Sequence, residues 1–193
     1  MINGGMMKQA IYSLNEAMKE VGRDVNVDEI AEIVQGHAFA TAVSAAASGA
    51  IPGAGGTIAF GIACTSTIAM YGRLAKAMGV RLNNGIIKAV ASAVVADLAA
   101  SVAVTVATAA AISFIPGLGS MASSTLTMIM NYGFVYLAGL IFIKMVASVG
   151  VTQMESMTEH EMKKTAKDIQ SKIDIKSAMR EARESYKKRH KQA

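Results

Sequence analysis

Residues 111–124 read AISFIPGLGSMASS, and residues 48–61 read SGAIPGAGGTIAFG. Both stretches contain Ile-Pro-Gly-x-Gly, and they hold the chain's only two prolines, Pro52 and Pro116. No Asp, Glu, Lys or Arg lies within 10 residues of either proline. Because proline stops a helix and glycine permits a tight reversal, each motif predicts a turn between two helices. Turns ordinarily face water, so an uncharged turn is typical of a hairpin tip at a membrane or at a protein interface.

The composition favours a nearly all-helical chain. Of the 193 residues, 52% are hydrophobic but only 5% are aromatic, and there are 17 glycines and no tryptophan. Helix breakers are scarce and alternating β-branched runs are few, which predicts an all-α fold with one domain and a tail. The single cysteine, Cys64, excludes an internal disulfide framework and a Cys-based zinc site, and its apolar surroundings indicate a small buried side chain.

The uncharged arms beside the two motifs predict two helical hairpins. The arms of hairpin 1 are residues 38–49 and 57–72, and those of hairpin 2 are 98–115 and 120–143. A bilayer core of about 30 Å needs about 20 helical residues, so hairpin 2 is long enough to cross a membrane, whereas hairpin 1 is short. The predicted turn residues are Pro52, Gly53, Gly55, Pro116, Gly117 and Gly119.

The two hairpins share a further feature that suggests an internal duplication. A Tyr-Gly pair lies in the second arm of each, as Tyr71-Gly72 and as Tyr132-Gly133. Small residues on these helices permit close helix packing. We therefore expect residues 38–148 to form a four-helix core built from two similar hairpins.

Residues 1–37 predict an amphipathic helix and the start of a second helix. Met7, Ile11, Leu14, Met18 and Val21 recur at helical spacing, and Gly22 is placed to end the helix. Asn26 with Glu29 three residues later has the pattern of a capping box.

Residues 149–193 predict a charged helical tail. Thr158 and Glu161 form a second capping-box pattern, and a shift of the apolar stripe indicates a bend near Asp174. Three pairs at i,i+4 spacing favour helix. These pairs are Glu159–Lys163, Asp168–Lys172 and Glu184–Lys188.

The charges are segregated in a way that favours membrane association. Cations cluster between the hairpins and in the tail, while both Pro-Gly turns are free of charge, so the positive-inside rule predicts cytoplasmic termini. The acid within the apolar region, Asp97, is interpreted as a helix-surface or interfacial residue. The predicted contacts to lipid headgroups or to a partner are Arg73, Lys76, Arg81, Lys88, Lys187, Lys188, Arg189 and Lys191. A soluble bundle buried in an assembly is the alternative.

No sequence motif indicates catalysis. There is no phosphate loop of the G-x-x-x-x-G-K-[ST] type, and HEMKK at residues 160–164 has Lys164 where a zinc motif needs histidine. The three histidines are far apart in sequence, and no nucleophile elbow is present. We therefore expect a non-enzymatic protein with no catalytic, cofactor-binding or metal residues. Nucleic acid is not an expected partner, because Tyr186 is the only aromatic residue near the basic tail.

The order Ile51-Pro52-Gly53, Tyr71-Gly72, Phe114-Ile115-Pro116-Gly117 and Tyr132-Gly133 resembles the YcjF-like family of bacterial helical membrane proteins. The resemblance covers residues 38–148. Members of that family are associated with GTPases, so it implies an inner-membrane location and a GTPase partner acting in trans. It implies no catalytic residues.

These observations predict a membrane-associated helical protein that acts as an oligomeric scaffold or a partner-docking module. Two alternatives remain open at this level. One is a pore-forming, toxin-like protein that inserts its apolar hairpins. The other is a soluble structural subunit, in the cytoplasm, whose apolar helices are buried in a large assembly.

Overall fold

The computed structural model describes the backbone of residues 5–48, 55–110 and 120–191, and the side chains of residues 5–45, 60–101 and 128–191. Every regular element in these ranges is a helix, which confirms the all-α prediction. The helices are α1 (Met6–Glu20), α2 (Val27–Ser48), α3 (Gly55–Ala77), α4 (Asn84–Ala110), α5 (Ser120–Val149), α6 (Val151–Ser156), α7 (Glu159–Ser171) and α8 (Ile175–His190).

The two Pro-Gly motifs fall between α2 and α3 and between α4 and α5. Gly55 is the first residue of α3. The other five predicted turn residues, Pro52, Gly53, Pro116, Gly117 and Gly119, lie outside the described residues. The helices on both sides of each motif therefore agree with a pair of hairpins.

Helix α1 confirms most of the predicted N-terminal stripe. Met7, Ile11, Leu14 and Met18 are buried. The prediction that Val21 belongs to this buried stripe was wrong, since its side chain is 52% exposed. Val21 is the C-cap of α1, and Gly22 follows with φ 68°, so the chain has left the helical path before this side chain reaches the core.

Asn26 caps α2 as predicted. Its side-chain Oδ1 accepts hydrogen bonds from the backbone N–H groups of Asp28 and Glu29, both at 3.1 Å. These groups lack partners within the helix, so the asparagine satisfies two of them.

The centre of the fold is α5, which contacts α1, α2, α3, α4, α7 and α8. It packs against α2 at Gly139. A Cβ atom at this position would lie 2.7 Å from Cγ1 of Val34. The missing side chain of Gly139 thus lets the two helices pack tightly.

The tail folds as two helices, as predicted. Thr158 and Glu161 form a reciprocal capping box at the start of α7, and Asp174 is the N-cap of α8, which places the break where it was expected. Lys163 pairs with Glu159 at 2.5 Å. Glu184 pairs with Lys187 at 2.9 Å, in place of the predicted Lys188, because i,i+3 neighbours also share a helix face.

Candidate functional site

Among the residues that the structure describes, two helices are long and apolar enough to cross a membrane. The first segment is Asn84–Ser101 in α4, and the second is Met128–Val149 in α5. They differ in surroundings, since 33% of the first segment and 72% of the second are buried inside the protein. Because it is mostly buried, the second segment also fits the core helix of a folded domain.

Helix α8 covers one face of this α5 segment. The hydroxyl of Tyr132 is 2.8 Å from the hydroxyl of Ser185, and the hydroxyl of Tyr136 donates to a carboxylate oxygen of Glu181 at 2.9 Å. At Gly133, an added Cβ atom would lie 2.5 Å from Met179. The absence of a side chain there lets α8 approach α5 closely.

Helix α8 also connects to the two helices on either side of α5. Glu181 accepts hydrogen bonds from the backbone N–H groups of Met6 at 2.7 Å and Met7 at 3.0 Å, at the start of α1. At the other end, the Arg189 guanidinium binds both carboxylate oxygens of Glu32 on α2, at 2.7 and 2.9 Å. That hydrogen-bonded pairing lowers the pKa of Glu32 below its ordinary value. Helix α8 thus ties α1, α5 and α2 together.

The two Tyr-Gly pairs have different surroundings. Tyr71 is fully buried, donates to the backbone carbonyl of Ala138 at 2.9 Å, and lies 4.4 Å from Phe142 between ring centres. Tyr132 instead contacts α8. Gly72 has open space beside it, whereas Gly133 faces Met179. The two Tyr-Gly pairs therefore match in sequence but make different packing contacts.

The eight predicted contact cations fall on two parts of the surface. Arg73, Lys76, Arg81 and Lys88 are exposed on or between α3 and α4, and Lys187, Lys188 and Lys191 are exposed at the end of α8. Three of the eight already pair with acids. Arg81 pairs with Glu155, Lys187 with Glu184, and Arg189 with Glu32. Arg189 is therefore part of the internal α8–α2 connection, although the sequence indicated a free basic tail.

His37 lies between α2 and α3. Its Nδ1 atom is 3.4 Å from the hydroxyl of Ser66, while its buried Nε2 atom has no hydrogen-bond partner among the described residues. Burial, together with the charge of Arg73, lowers the pKa of His37. The arrangement favours a neutral imidazole.

A cleft of about 310 Å³ lies between α1, α5 and α7. It contains two lysines, Lys144 of α5 and Lys172 at the C-cap of α7, and two hydroxyl residues, Ser13 and Ser148. The sequence indicated only that Lys144 follows an apolar run, because the cleft exists only where α1 packs beside α5 and α7.

In the described part of the chain, no three His, Cys, Asp or Glu side chains lie together as metal ligands would. Cys64 is half-buried, with its Sγ atom 3.4 Å from the hydroxyl of Ser92. Asp97 is half-exposed on α4, which agrees with a helix-surface position.

Comparisons with family models, with curated proteins and with solved structures each found no match to this chain. The resemblance to the YcjF-like family therefore stays a prediction.

Proposed function

We propose that this chain is a non-enzymatic, membrane-associated helical protein. The Pro-Gly ends of the two uncharged segments, residues 38–72 and 98–143, would enter the bilayer. The charged helices α1, α7 and α8 would stay on the aqueous side, where they serve self-assembly or partner docking. The observation that carries this proposal is the distribution of charge along the two hairpins.

Two large apolar side chains are exposed in the first uncharged segment. Val43 on α2 is 52% exposed and Phe60 on α3 is 42% exposed. In the second segment, Met128 and Ile129 of α5 are partly buried and pack against the core. Exposed apolar side chains within a long uncharged segment are typical of a membrane contact.

The position of α8 limits how deeply this conformation can insert. Tyr132 and Tyr136 of α5 are covered by α8, whose exposed residues include Arg180, Arg183 and Lys187. Moving these charges into hydrocarbon would cost several kcal/mol. The folded protein is therefore expected to enter the membrane with its hairpin ends only, and a full crossing by α5 requires α8 to leave.

The proposal includes three partners, namely membrane lipid, a second copy of the chain and a GTPase. Membrane lipid is the first, and a second copy of the chain is the next, since small residues on the hairpins favour helix packing. The resemblance adds a bacterial inner membrane, cytoplasmic termini and a GTPase in trans. The exposed cations Arg73, Lys76 and Lys88 suit anionic headgroups or an acidic partner surface.

Vesicle flotation tests the proposal. The wild-type chain should float with vesicles of phosphatidylcholine and phosphatidylglycerol, and Ile51→Lys or Phe114→Lys should reduce the bound fraction about tenfold or more, because a lysine in hydrocarbon is costly. Val21→Lys is the matched control, since Val21 is an exposed apolar residue far from both segments in sequence. Wild-type protein that stays at the bottom of the gradient as a discrete particle would contradict the proposal and favour a soluble assembly.

A pore-forming protein is the second candidate function. It is favoured by one observation, namely that the segment Met128–Val149 is long enough to span yet mostly buried in the fold. Such a protein must release α8 before α5 can insert. Leakage of dye from vesicles, increased by Glu181→Ala, would favour this function over a docking module.

A further inference from the structure

We propose that the cleft between α1, α5 and α7 binds a phosphate-type anion between Lys144 and Lys172. We name it the lysine cleft. Its lining residues are Ala10, Ser13, Lys144, Ala147, Ser148, Ile169, Lys172 and Ile173. This site goes beyond membrane association, because it requires no bilayer in order to be occupied.

The charges of the lysine cleft are unbalanced. Two cations line it and no acid does. Within the described residues, neither Lys144 nor Lys172 forms an ion pair, so the predicted Asp168–Lys172 pair is not formed. Two ammonium groups in one small cleft repel each other. A bound anion would turn that repulsion into two attractive contacts.

Lys144 is an isolated charge on α5. It is the single charged residue in the 30-residue helix α5, and its side chain is half-buried between apolar neighbours. Placing a cation on a core helix costs free energy unless the charge has a partner. Among the described side chains that line the cleft, none supplies the negative charge.

The polar groups around the two lysines suit phosphate oxygens. Ser13 is exposed and able to donate its hydroxyl proton. The hydroxyl of Ser148 donates its proton to the carbonyl of Met145 at 3.2 Å, so Ser13 is the hydroxyl donor that the cleft offers. The carbonyls of Ile169 and Gln170 at the end of α7 accept from Lys172 and Ile173, which reduces the negative potential next to Lys172. Lysine binds phosphate as a mobile point charge.

The volume indicates the size of the ligand. At about 310 Å³, the cleft lies at the lower end of the range for small-molecule sites. Its remaining walls are alanine and isoleucine side chains. A free phosphate and the phosphate monoester headgroup of a lipid share the required chemistry, since the apolar walls accept the first carbons of a glycerol ester.

The test uses the full chain and inorganic phosphate without membranes. Thermal unfolding and calorimetric titration should show that phosphate raises Tm, with chloride at equal ionic strength as the reference. Lys144→Met and Lys172→Met should each weaken binding about tenfold or more, because a charge-assisted hydrogen bond is lost. Lys144→Arg should keep binding. Lys19→Met, an exposed residue of α1 outside the cleft, is the matched control.

A second arm identifies the source of the anion. Vesicles of phosphatidylcholine with phosphatidic acid should bind the wild type more tightly than Lys144→Met if a lipid headgroup is the ligand, even when free phosphate has no effect. The proposed site would be overturned if Lys19→Met loses as much binding as Lys144→Met. It would also be overturned if neither phosphate binding nor vesicle binding depends on Lys144. Because the phosphate arm contains no membrane, its result is separate from the outcome of the flotation experiment.

Ligand-free Tm provides a further readout. Removing one of two repelling charges should leave the Tm of Lys144→Met unchanged or raise it. A Tm that falls, with phosphate binding intact, would show that Lys144 serves packing alone and would contradict the proposal.

Discussion

Tyr136 of α5 donates its hydroxyl hydrogen bond to Glu181 of α8 at 2.9 Å, and the same carboxylate caps the first turn of α1. One side chain thus connects three helices, and its partner Met6 is 175 positions away in sequence. The start of α1 has no side-chain cap of its own from Gly5. Glu181 supplies the missing acceptor, so the docking of α8 and the stability of α1 are coupled.

Replacing Glu181 should destabilise the fold clearly. Glu181→Ala removes the acceptor of two backbone N–H groups and of a buried tyrosine hydroxyl, so we expect a loss of about 2–3 kcal/mol in the free energy of unfolding, measured by urea denaturation. Glu184→Ala, three residues away, breaks only the exposed pair with Lys187 and should cost less than about 0.5 kcal/mol. Similar losses in both variants would show that Glu181 does not join the helices.

The glycines of the hairpin helices should respond in opposite directions. Gly139→Ala places a Cβ atom 2.7 Å from Val34, whose branched side chain has little freedom to move. We expect a loss of about 1–3 kcal/mol in unfolding free energy from this overpacking. Gly72→Ala meets no atom within 4 Å and should stabilise the helix by about 0.5–1 kcal/mol. A stabilising Gly139→Ala would mean that α2 and α5 are farther apart.

Stability should depend on pH through His37. Its folded-state pKa lies below the ordinary value of 6.5, mainly because of burial. The unfolded chain therefore binds the proton more tightly, so the free energy of unfolding should fall as pH drops below about 6.5, until the folded-state pKa is passed. Above that range His37 is neutral in both states and contributes no slope.

Denaturation of wild type and His37→Gln at several pH values between 7.5 and 5 would measure this contribution. The variant should lose part of the pH dependence, whereas His160→Gln, an exposed residue at the start of α7, should keep it. Identical slopes in wild type and His37→Gln would show that the imidazole is not shielded between α2 and α3.

The contact between α8 and α2 should depend on the sign of its charges. Arg189→Glu opposes Glu32 and should cost about 1 kcal/mol, because a two-bond ion pair becomes a repulsion at the surface. Adding Glu32→Arg should restore most of that loss. If the double variant is no more stable than Arg189→Glu, then the pair does not hold α8 on α2.

Local signals were sufficient to predict most of the helices. Thr158 and Glu161, or Asn26 and its neighbours, are within three residues of each other, so a cap can be recognised from spacing alone. Asp174 was identified because the apolar stripe changes direction there. Proline and glycine mark the breaks between the hairpin arms because their backbone preferences are strong.

Tertiary contacts could not be predicted in this way. The carboxylate of Glu181 looks like an ordinary helix-surface charge in sequence, and its partners belong to α1 and α5. The lysine cleft could not be predicted for the same reason, since helix packing brings Lys144 and Lys172 together. Tyr71 and Tyr132 share a motif but contact different helices, so sequence similarity of the two hairpins does not extend to their packing.

Membrane entry by the hairpin ends is tested by the polarity around the uncharged segments when lipid is present. In a Cys64→Ser background, an environment-sensitive fluorophore on Ile115→Cys or Ile51→Cys should shift its emission to the blue when vesicles containing anionic lipid are added. The same label on Val21→Cys, which is exposed at the end of α1 and far from both segments in sequence, should not shift. Unchanged emission at residues 51 and 115, with vesicles in excess, would contradict membrane entry by the hairpin ends.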